Sequence, residues 1–260
     1  MSGLVNKAFV LLKEKGLAAT LRKTFIYLLD RLKVLYFEKR VRGLDSAEDR
    51  FTAIYRINYW GNAESVSGGS STLESTANLR EGLPRLFEAF SVKSIFDAPC
   101  GDFNWMRHVL EGRDLDYVGG DIVKPLIDRN NARFANRRVR FIQVDITRDD
   151  FPAVDLMICR DCLFHLSYAD TIAALRNIVR ANIPYLLTTT HMNDGLLRNS
   201  DIRTGDYREI DLFQAPYSFP KDALFRIGED PKRLRVREMC LWDKRQVAEA
   251  LAAFEAQTRP

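Results

Sequence analysis

Between positions 92 and 191, five short apolar runs each end on a polar or charged residue: Ile95-Phe96 into Asp97, Tyr117-Val118 into Gly119-Gly120-Asp121, Val139 to Val144 into Asp145, Val154 to Cys159 into Arg160-Asp161, and Tyr185 to Thr190 into His191. Helical spacing separates them, from Lys124 to about Ala135 and from Tyr168 to Arg180. Short apolar runs bounded by turns are strands buried on both faces, and their alternation with helices builds a mostly parallel sheet with helices on both sides. Such a sheet opens a ligand crevice at the carboxyl ends of its strands.

The first of these ends carries the most specific pattern, in VKSIFDAPCGDFNW at positions 92–105. A strand closes on Asp97, Cys100-Gly101 turns the chain, and a helix begins around Trp105-Met106. That order places backbone N–H groups at the mouth of the crevice. Asp121 follows about 20 residues beyond the glycine turn, where a carboxylate can accept both hydroxyls of a ribose. Gly101 lets the chain pass close to a ligand.

With 260 residues, 46% hydrophobic and 28% charged, the chain has enough apolar surface for a full core in one domain with appendages. No run of about 18 apolar residues occurs, so a cytoplasmic protein is the expectation. The four cysteines, Cys100, Cys159, Cys162 and Cys240, are scattered among strands and turns as reduced thiols would be. Cys159 and Cys162 form a C-x-x-C without a second pair or a histidine at zinc spacing.

Charge is uneven. Residues 1–43 hold ten Lys or Arg against Glu14, Asp30 and Glu38, a balance of +7 in a chain whose total is +4. From Val5 to about Val41, Phe9, Leu12, Leu17, Leu21, Phe25, Leu28, Leu32 and Leu35 recur at three and four, which predicts two amphipathic helices broken near Gly16. A basic face beside Leu and Phe suits a peripheral contact with an anionic membrane or a lipid-linked acceptor. The alternative is a helical cap packed on the catalytic domain or on a second subunit of a homo-oligomer. The predicted division is a basic helical extension at 1–45, a cap with a Gly/Ser loop at 46–90, and the α/β domain at 91–260. Within the cap, Tyr55, Tyr59 and Trp60 precede a polar loop, Glu64 to Thr72, that carries Ser65, Ser67 and Gly68-Gly69; helical spacing resumes at Leu73. The loop is either a solvated linker or an ordered lid whose N–H groups face an anionic ligand.

Taken together, IFDAPCGD, YVGGDI, FIQVDIT and DLMICRDCLFHLS resemble, in order and spacing, the four strand-end motifs of the class I S-adenosylmethionine-dependent methyltransferases. The resemblance covers about residues 80 to 245 and implies a Rossmann-like, doubly wound, mostly parallel seven-stranded sheet with an antiparallel last strand, the hairpin being Ala223 to Gly228 and Val236 to Trp242. It also implies S-adenosyl-L-methionine as cofactor, held by Asp97, Pro99, Gly101, Asp102, Asp121, Ile122, Asp145, Ile146 and Arg160. One departure stands out: where the family reads D-x-G-x-G-x-G, this chain has Asp97, Pro99, Gly101 and Phe103, with Asp102 or the Gly/Ser loop available to compensate. The string from ESVSGGSST through DAPCGDFNW is also similar to a bacterial subgroup associated with polysaccharide and glycan modification, which implies a sugar or glycan hydroxyl as acceptor.

Methyl transfer is an in-line displacement, so the protein positions two reactants and, for a hydroxyl acceptor, removes a proton. The rim offers Asp161, His165 and His191 as proton acceptors. Trp60, Ser67, Trp105, Asn193 and Arg208 are expected to touch the acceptor, with the polar segment from Asn193 to Pro220 supplying specificity. His108 is expected to be structural or solvated. No metal is assigned, although Asp161, His191, Asn193 and Asp194 could form an oxygen-rich divalent site. A nucleic-acid methyltransferase would share the fold, but basic charge is confined to the first 43 residues and no Asn-Pro-Pro-Tyr-like signature follows strand four, so no nucleic-acid partner is expected. A non-catalytic cofactor-binding or membrane-docking module is the third class.

Overall fold

The computed structural model describes residues 43–229 and 236–258, together with Leu21, Phe25, Leu32, Leu35, Lys39 and Val41 before them. Most of the helical stretch expected from Val5 to Val41 lies outside the described residues. The chain divides into two compact units, Met1–Tyr59 and Trp60–Pro260. In the first, helix α1 (Ala47–Arg56) starts at Ser46, whose hydroxyl accepts from the Asp49 N–H at 3.0 Å, and Glu48 and Asp49 favour the positive end of its dipole. Ile54 and Val41 are buried there, with Phe51, Ala53 and Tyr59 packed around them.

The second unit is built on seven strands: β1 (Ser94–Asp97), β2 (Asp116–Asp121), β3 (Val139–Gln143), β4 (Leu156–Cys159), β5 (Tyr185–His191), β6 (Phe225–Gly228) and β7 (Arg237–Asp243). Their order is β3-β2-β1-β4-β5-β7-β6. The pairs from β3 through to β5 are parallel, while β7 runs antiparallel to β5 and β6. The sheet is thus the one expected, and its strand ends fall within two residues of the apolar runs. Because the chain winds from β1 outward to β3 and then returns to β4, the switch point lies between β1 and β4, where their carboxyl ends splay apart. At the opposite, amino ends of the same two strands Asp155 sets the register: its Oδ2 accepts from Lys93 N, Ser94 N and Ser94 Oγ, each at 2.8 Å.

Helices α2 (Ala77–Ala89), α3 (Met106–Leu110), α4 (Lys124–Phe134), α5 (Tyr168–Arg180) and α6 (Lys244–Thr258) cover the sheet. α2 packs on β6, α4 on β3, and α5 against α6. The core runs through Leu83, Leu86, Ile95, Tyr117, Phe141, Leu156, Leu187 and Leu241. The two glycines of β2 serve packing as well as the crevice. A Cβ on Gly119 would lie 2.5 Å from the Phe141 ring, and one on Gly120 would lie 2.6 Å from Val144 and 2.7 Å from Phe96. Larger residues there would push rings apart and tilt the strand that ends in Asp121.

Three threonines explain how β5 stays buried while polar. Thr188 Oγ1 donates to Cys159 O at 2.7 Å, Thr189 Oγ1 accepts from Asp161 N at 2.9 Å, and Thr190 Oγ1 accepts from Leu212 N at 2.9 Å. Each hydroxyl is satisfied, and two of them fix the segments that rim the crevice.

Candidate active site

Residues after β1 form the floor of the crevice. Ala98 N donates to Ile158 O at 2.9 Å and Cys100 N to Gly120 O at 2.8 Å, so the turn continues the ladder on both sides. Gly101 has φ +55, a region that favours glycine, and its N–H donates to Asp121 Oδ2 at 3.2 Å. Asp121 Oδ1 accepts from Val123 N at 3.0 Å, so backbone alone orients this carboxylate. Burial pushes its carboxyl up to about 6, against those N–H bonds. Asp97 lies deeper and accepts from the Tyr117 hydroxyl at 2.7 Å; burial pushes it up to about 7, against the pull of Tyr117 and Arg160.

Among the described residues neither acid has a cation at ion-pair distance. Two buried, uncompensated carboxylates beside a glycine turn fit a ligand that brings hydroxyl donors and positive charge, as S-adenosylmethionine does with its ribose, ammonium and sulfonium. Ile122 follows Asp121 directly, and its carbonyl accepts from Gln143 at 3.3 Å. Pro99 joins Ala98 through a cis peptide, and Phe103 has φ +59 with its ring packed on Tyr117, Phe134 and Phe141. Phe103, standing where the family has a third glycine, thus belongs to the core.

Other predicted residues lie elsewhere in the frame. Asp145 closes its own turn: Oδ1 accepts from Thr147 N at 2.9 Å and Thr147 Oγ1 at 2.6 Å, and Oδ2 pairs with Arg148 at 3.2 Å. Ile146 is buried, and its carbonyl accepts from Asn177 at 3.2 Å. Asp102 bonds the Gly/Ser loop, with Oδ1 accepting from Ser65 Oγ at 2.9 Å and Oδ2 from Val66 N at 3.0 Å. Asn193 is occupied by Asp211, Leu197 and Gly195. Arg208 donates to Tyr217 Oη at 2.5 Å and stacks 5.0 Å over Tyr168.

At the end of β4 two arginines and two acids form a closed ring. Arg160 Nε donates to Glu229 Oε1 at 2.9 Å, Arg237 pairs with Glu229 Oε2 at 2.7 Å and with Asp161 Oδ1 at 3.1 Å, and Asp161 Oδ2 lies 3.5 Å from Arg160. All but Asp161 are over nine-tenths buried, and the Arg160 guanidinium stands 5.5 Å over Trp105. Burial would raise the Asp161 carboxyl, but Arg160 and Arg237 outweigh it and hold it well below the usual carboxylate range. Asp161 also has φ +52, unusual for a residue with a side chain. Glu229 and Arg237 were not among the residues singled out from the sequence. Their one signal is charge inside or beside apolar strands.

The two rim histidines differ sharply. His191 is 2% exposed, with Nδ1 at 3.2 Å from both the N and the O of Ile210, and its ring packs on Phe164. His165 lies in the short helical turn Leu163–His165, with Nδ1 at 2.7 Å from Asp206 O. A carbonyl only accepts, so Nδ1 carries the proton and Nε2 keeps its lone pair. Burial lowers the pKa of this imidazole, which keeps it neutral near pH 7. Trp60 and Tyr207 flank it, with ring centroids at 5.7 and 5.8 Å, and both rings are exposed. The His108 ring lies 4.0 Å from the Glu111 carboxylate.

The structure therefore brings Ser67, Gly101, Asp102 and Asp121 together, and Trp105 with Arg160 and Asp161. Trp60 joins His165, whereas Asp145, Asn193 and Arg208 are turned to other partners. Among the described residues no group of three or more His, Cys, Asp or Glu is placed to hold a metal ion.

Residues 95–184 match a family model described as a methyltransferase domain. No curated protein matches the chain. Its fold is similar to human N-acetylserotonin methyltransferase solved with S-adenosylmethionine, with TM-score 0.55 and 14% identity over 82% of this chain and 65% of that one. PigF with S-adenosylhomocysteine gives 0.55 and 15%, over 88% and 73%. The Burkholderia thailandensis 1,6-didemethyltoxoflavin-N1-methyltransferase, solved with its acceptor and S-adenosylhomocysteine, gives 0.54 and 18%, over 75% and 86%. The chain thus spans just under two thirds of the human enzyme. The matched residues, 95–184, run from β1 to the start of β5, in a sheet whose fold is similar to that of these solved methyltransferases.

Proposed function

We propose that the protein transfers the methyl group of S-adenosylmethionine to a hydroxyl of a small acceptor, a sugar or glycan. The observation that carries the cofactor assignment is the Gly101 N–H to Asp121 carboxylate bond, which joins the turn after β1 to the end of β2 beside the switch point, with Asp97 buried behind it. In this reading Asp121 accepts from the ribose hydroxyls, and Gly101 turns the chain so that its N–H holds that carboxylate in place. The sulfonium supplies an already activated methyl carbon, so the protein's own chemistry is alignment and proton removal.

Of the three candidate bases, Asp161 is held ionised by two arginines and is a weak proton acceptor, and His191 is closed off by Ile210. His165 has a fixed tautomer, a neutral ring and a free Nε2 among the described residues, so the hydroxyl proton passes to that nitrogen. The exposed faces of Trp60 and Tyr207 beside it, with the polar segment from Asn193 to Pro220, suit the alternating apolar and hydroxyl surfaces of a sugar ring. At the N-terminus, the described helical positions Leu21, Phe25, Leu32 and Leu35 are 54 to 62% exposed and, with the +7 balance of residues 1–43, support a peripheral contact with an anionic membrane surface.

The test is a labelled methyl-transfer screen against sugar nucleotides, lipid-linked glycans and RNA. A sugar-containing acceptor is expected, and His165→Gln lowers its turnover by about a hundred-fold or more while S-adenosylmethionine affinity stays within two-fold. Transfer to RNA alone would contradict the acceptor class, and full turnover by His165→Gln would contradict the base.

A further inference from the structure

The Gly/Ser loop crosses the switch point and is bound on both of its sides. On the β1 side, Asp102 accepts from Ser65 Oγ at 2.9 Å, Val66 N at 3.0 Å and Ser67 Oγ at 3.4 Å, and its own N–H donates to Ser67 Oγ at 3.2 Å. On the β4 side, Arg160 donates to Ser70 O at 2.9 Å. The far end is fixed by Glu64, whose Oε1 accepts from Leu73 N at 2.6 Å and Asn104 Nδ2 at 2.8 Å. Gly68 has φ +95 and packs on Trp60, where an added Cβ would lie 3.0 Å from the Trp60 Cβ. A flexible linker would leave these donors to water. This segment instead spends a carboxylate, a guanidinium carbonyl bond and a buried serine on being held in one place.

Its position is more telling than its order. A Cβ on Gly101 would lie 2.2 Å from Ser67 Oγ, so the hydroxyl of the loop fills the space that the missing side chain leaves above the glycine turn. The glycine expected to admit a ligand admits Ser67. With Asp102 just after β1 and Arg160 just after β4, the strap closes over the two strand ends between which a ligand of this fold must enter.

We propose that residues 64–72 are a latch over the cofactor crevice, that Asp102 is the positioning residue that seats it, and that S-adenosylmethionine enters and leaves only when the Asp102 bonds to Ser65, Val66 and Ser67 open. This rests on the cofactor assignment above. The latch is bonded on both sides of the opening, so closure limits both entry and exit. Weakening Asp102 therefore speeds both. A merely structural contact would lower affinity or stability without making association faster.

The test combines hydrogen exchange of residues 64–72 with stopped-flow binding of S-adenosylhomocysteine to the full chain. Asp102→Asn is expected to raise exchange in the latch about ten-fold, to raise the dissociation rate about ten-fold, and to raise the association rate several-fold. Ser65→Ala, which loosens the same bond from the loop side and leaves the floor of the crevice intact, is expected to move all three in the same direction. Asp121→Ala is the control: it lowers affinity and leaves latch exchange unchanged. Unchanged exchange in Asp102→Asn and Ser65→Ala overturns the anchoring, and slower or unchanged association in both overturns the gate while the cofactor assignment stands. Failure of the wild-type protein to bind S-adenosylhomocysteine overturns the assignment itself and the latch with it.

Discussion

Asp121 accepts from two backbone N–H groups and from no cation among the described residues, and Asp97 from one phenol. Burial outweighs those bonds, so both acids hold protons more tightly than free carboxylates, at about 6 and about 7. The sign for ligand binding follows directly. Ribose hydroxyls and a positive ligand favour the ionised forms, so protonation competes with binding. S-adenosylmethionine affinity is expected to be full above pH 8 and to fall as pH drops through about 7 and then about 6. Calorimetry between pH 5.5 and 8.5 checks this, and an affinity that rises toward acid would contradict it. Asp121 was legible from the sequence because its spacing from Gly101 is a property of one strand–helix–strand unit. The difference between His165 and His191 was not: it depends on carbonyls supplied 41 and 19 residues away, at Asp206 and Ile210.

At the scale of elements, the ring of Arg160, Asp161, Glu229 and Arg237 ties the end of β4 to the segment after β6 and the start of β7. None of these residues could sit there alone, because a buried charge without a partner costs several kcal/mol. Glu229, its side chain 1% exposed, serves both arginines. Glu229→Gln leaves two guanidinium groups facing Asp161 alone and is expected to cost about 3 kcal/mol in urea unfolding. A loss below about 1 kcal/mol would show that the ring is not held by its charges. The sequence placed Arg160 and Asp161 at a strand end but gave no sign of their partners, since Glu229 lies 69 positions from Arg160. Asp102 has the same history. The resemblance implied that it holds the cofactor, whereas its partners lie 35 to 37 residues earlier in the loop.

Across the whole molecule, the sheet was readable because each of the five parallel strands buries a short apolar run that ends at the crevice, a pattern that survives in one dimension. Helix α6 and the two-unit division were less so. The C-terminal helix has a mixed face, with Val247, Ala250 and Phe254 buried among charged neighbours, and the division falls between two adjacent aromatics, Tyr59 and Trp60. In the Trp60–Pro260 unit the latch, the turn after β1, the end of β2 and the charged ring after β4 meet at one opening, joined through Asp102, Asp121 and Arg160. Every proposed role depends on S-adenosylmethionine lying in that opening against Asp121. Titrating S-adenosylhomocysteine into the wild-type chain and into Asp121→Ala tests this most directly. Saturable one-to-one binding, weakened about ten-fold or more by the substitution, is the expected result. Equal affinity in the two proteins, or no binding to the wild type, would contradict it.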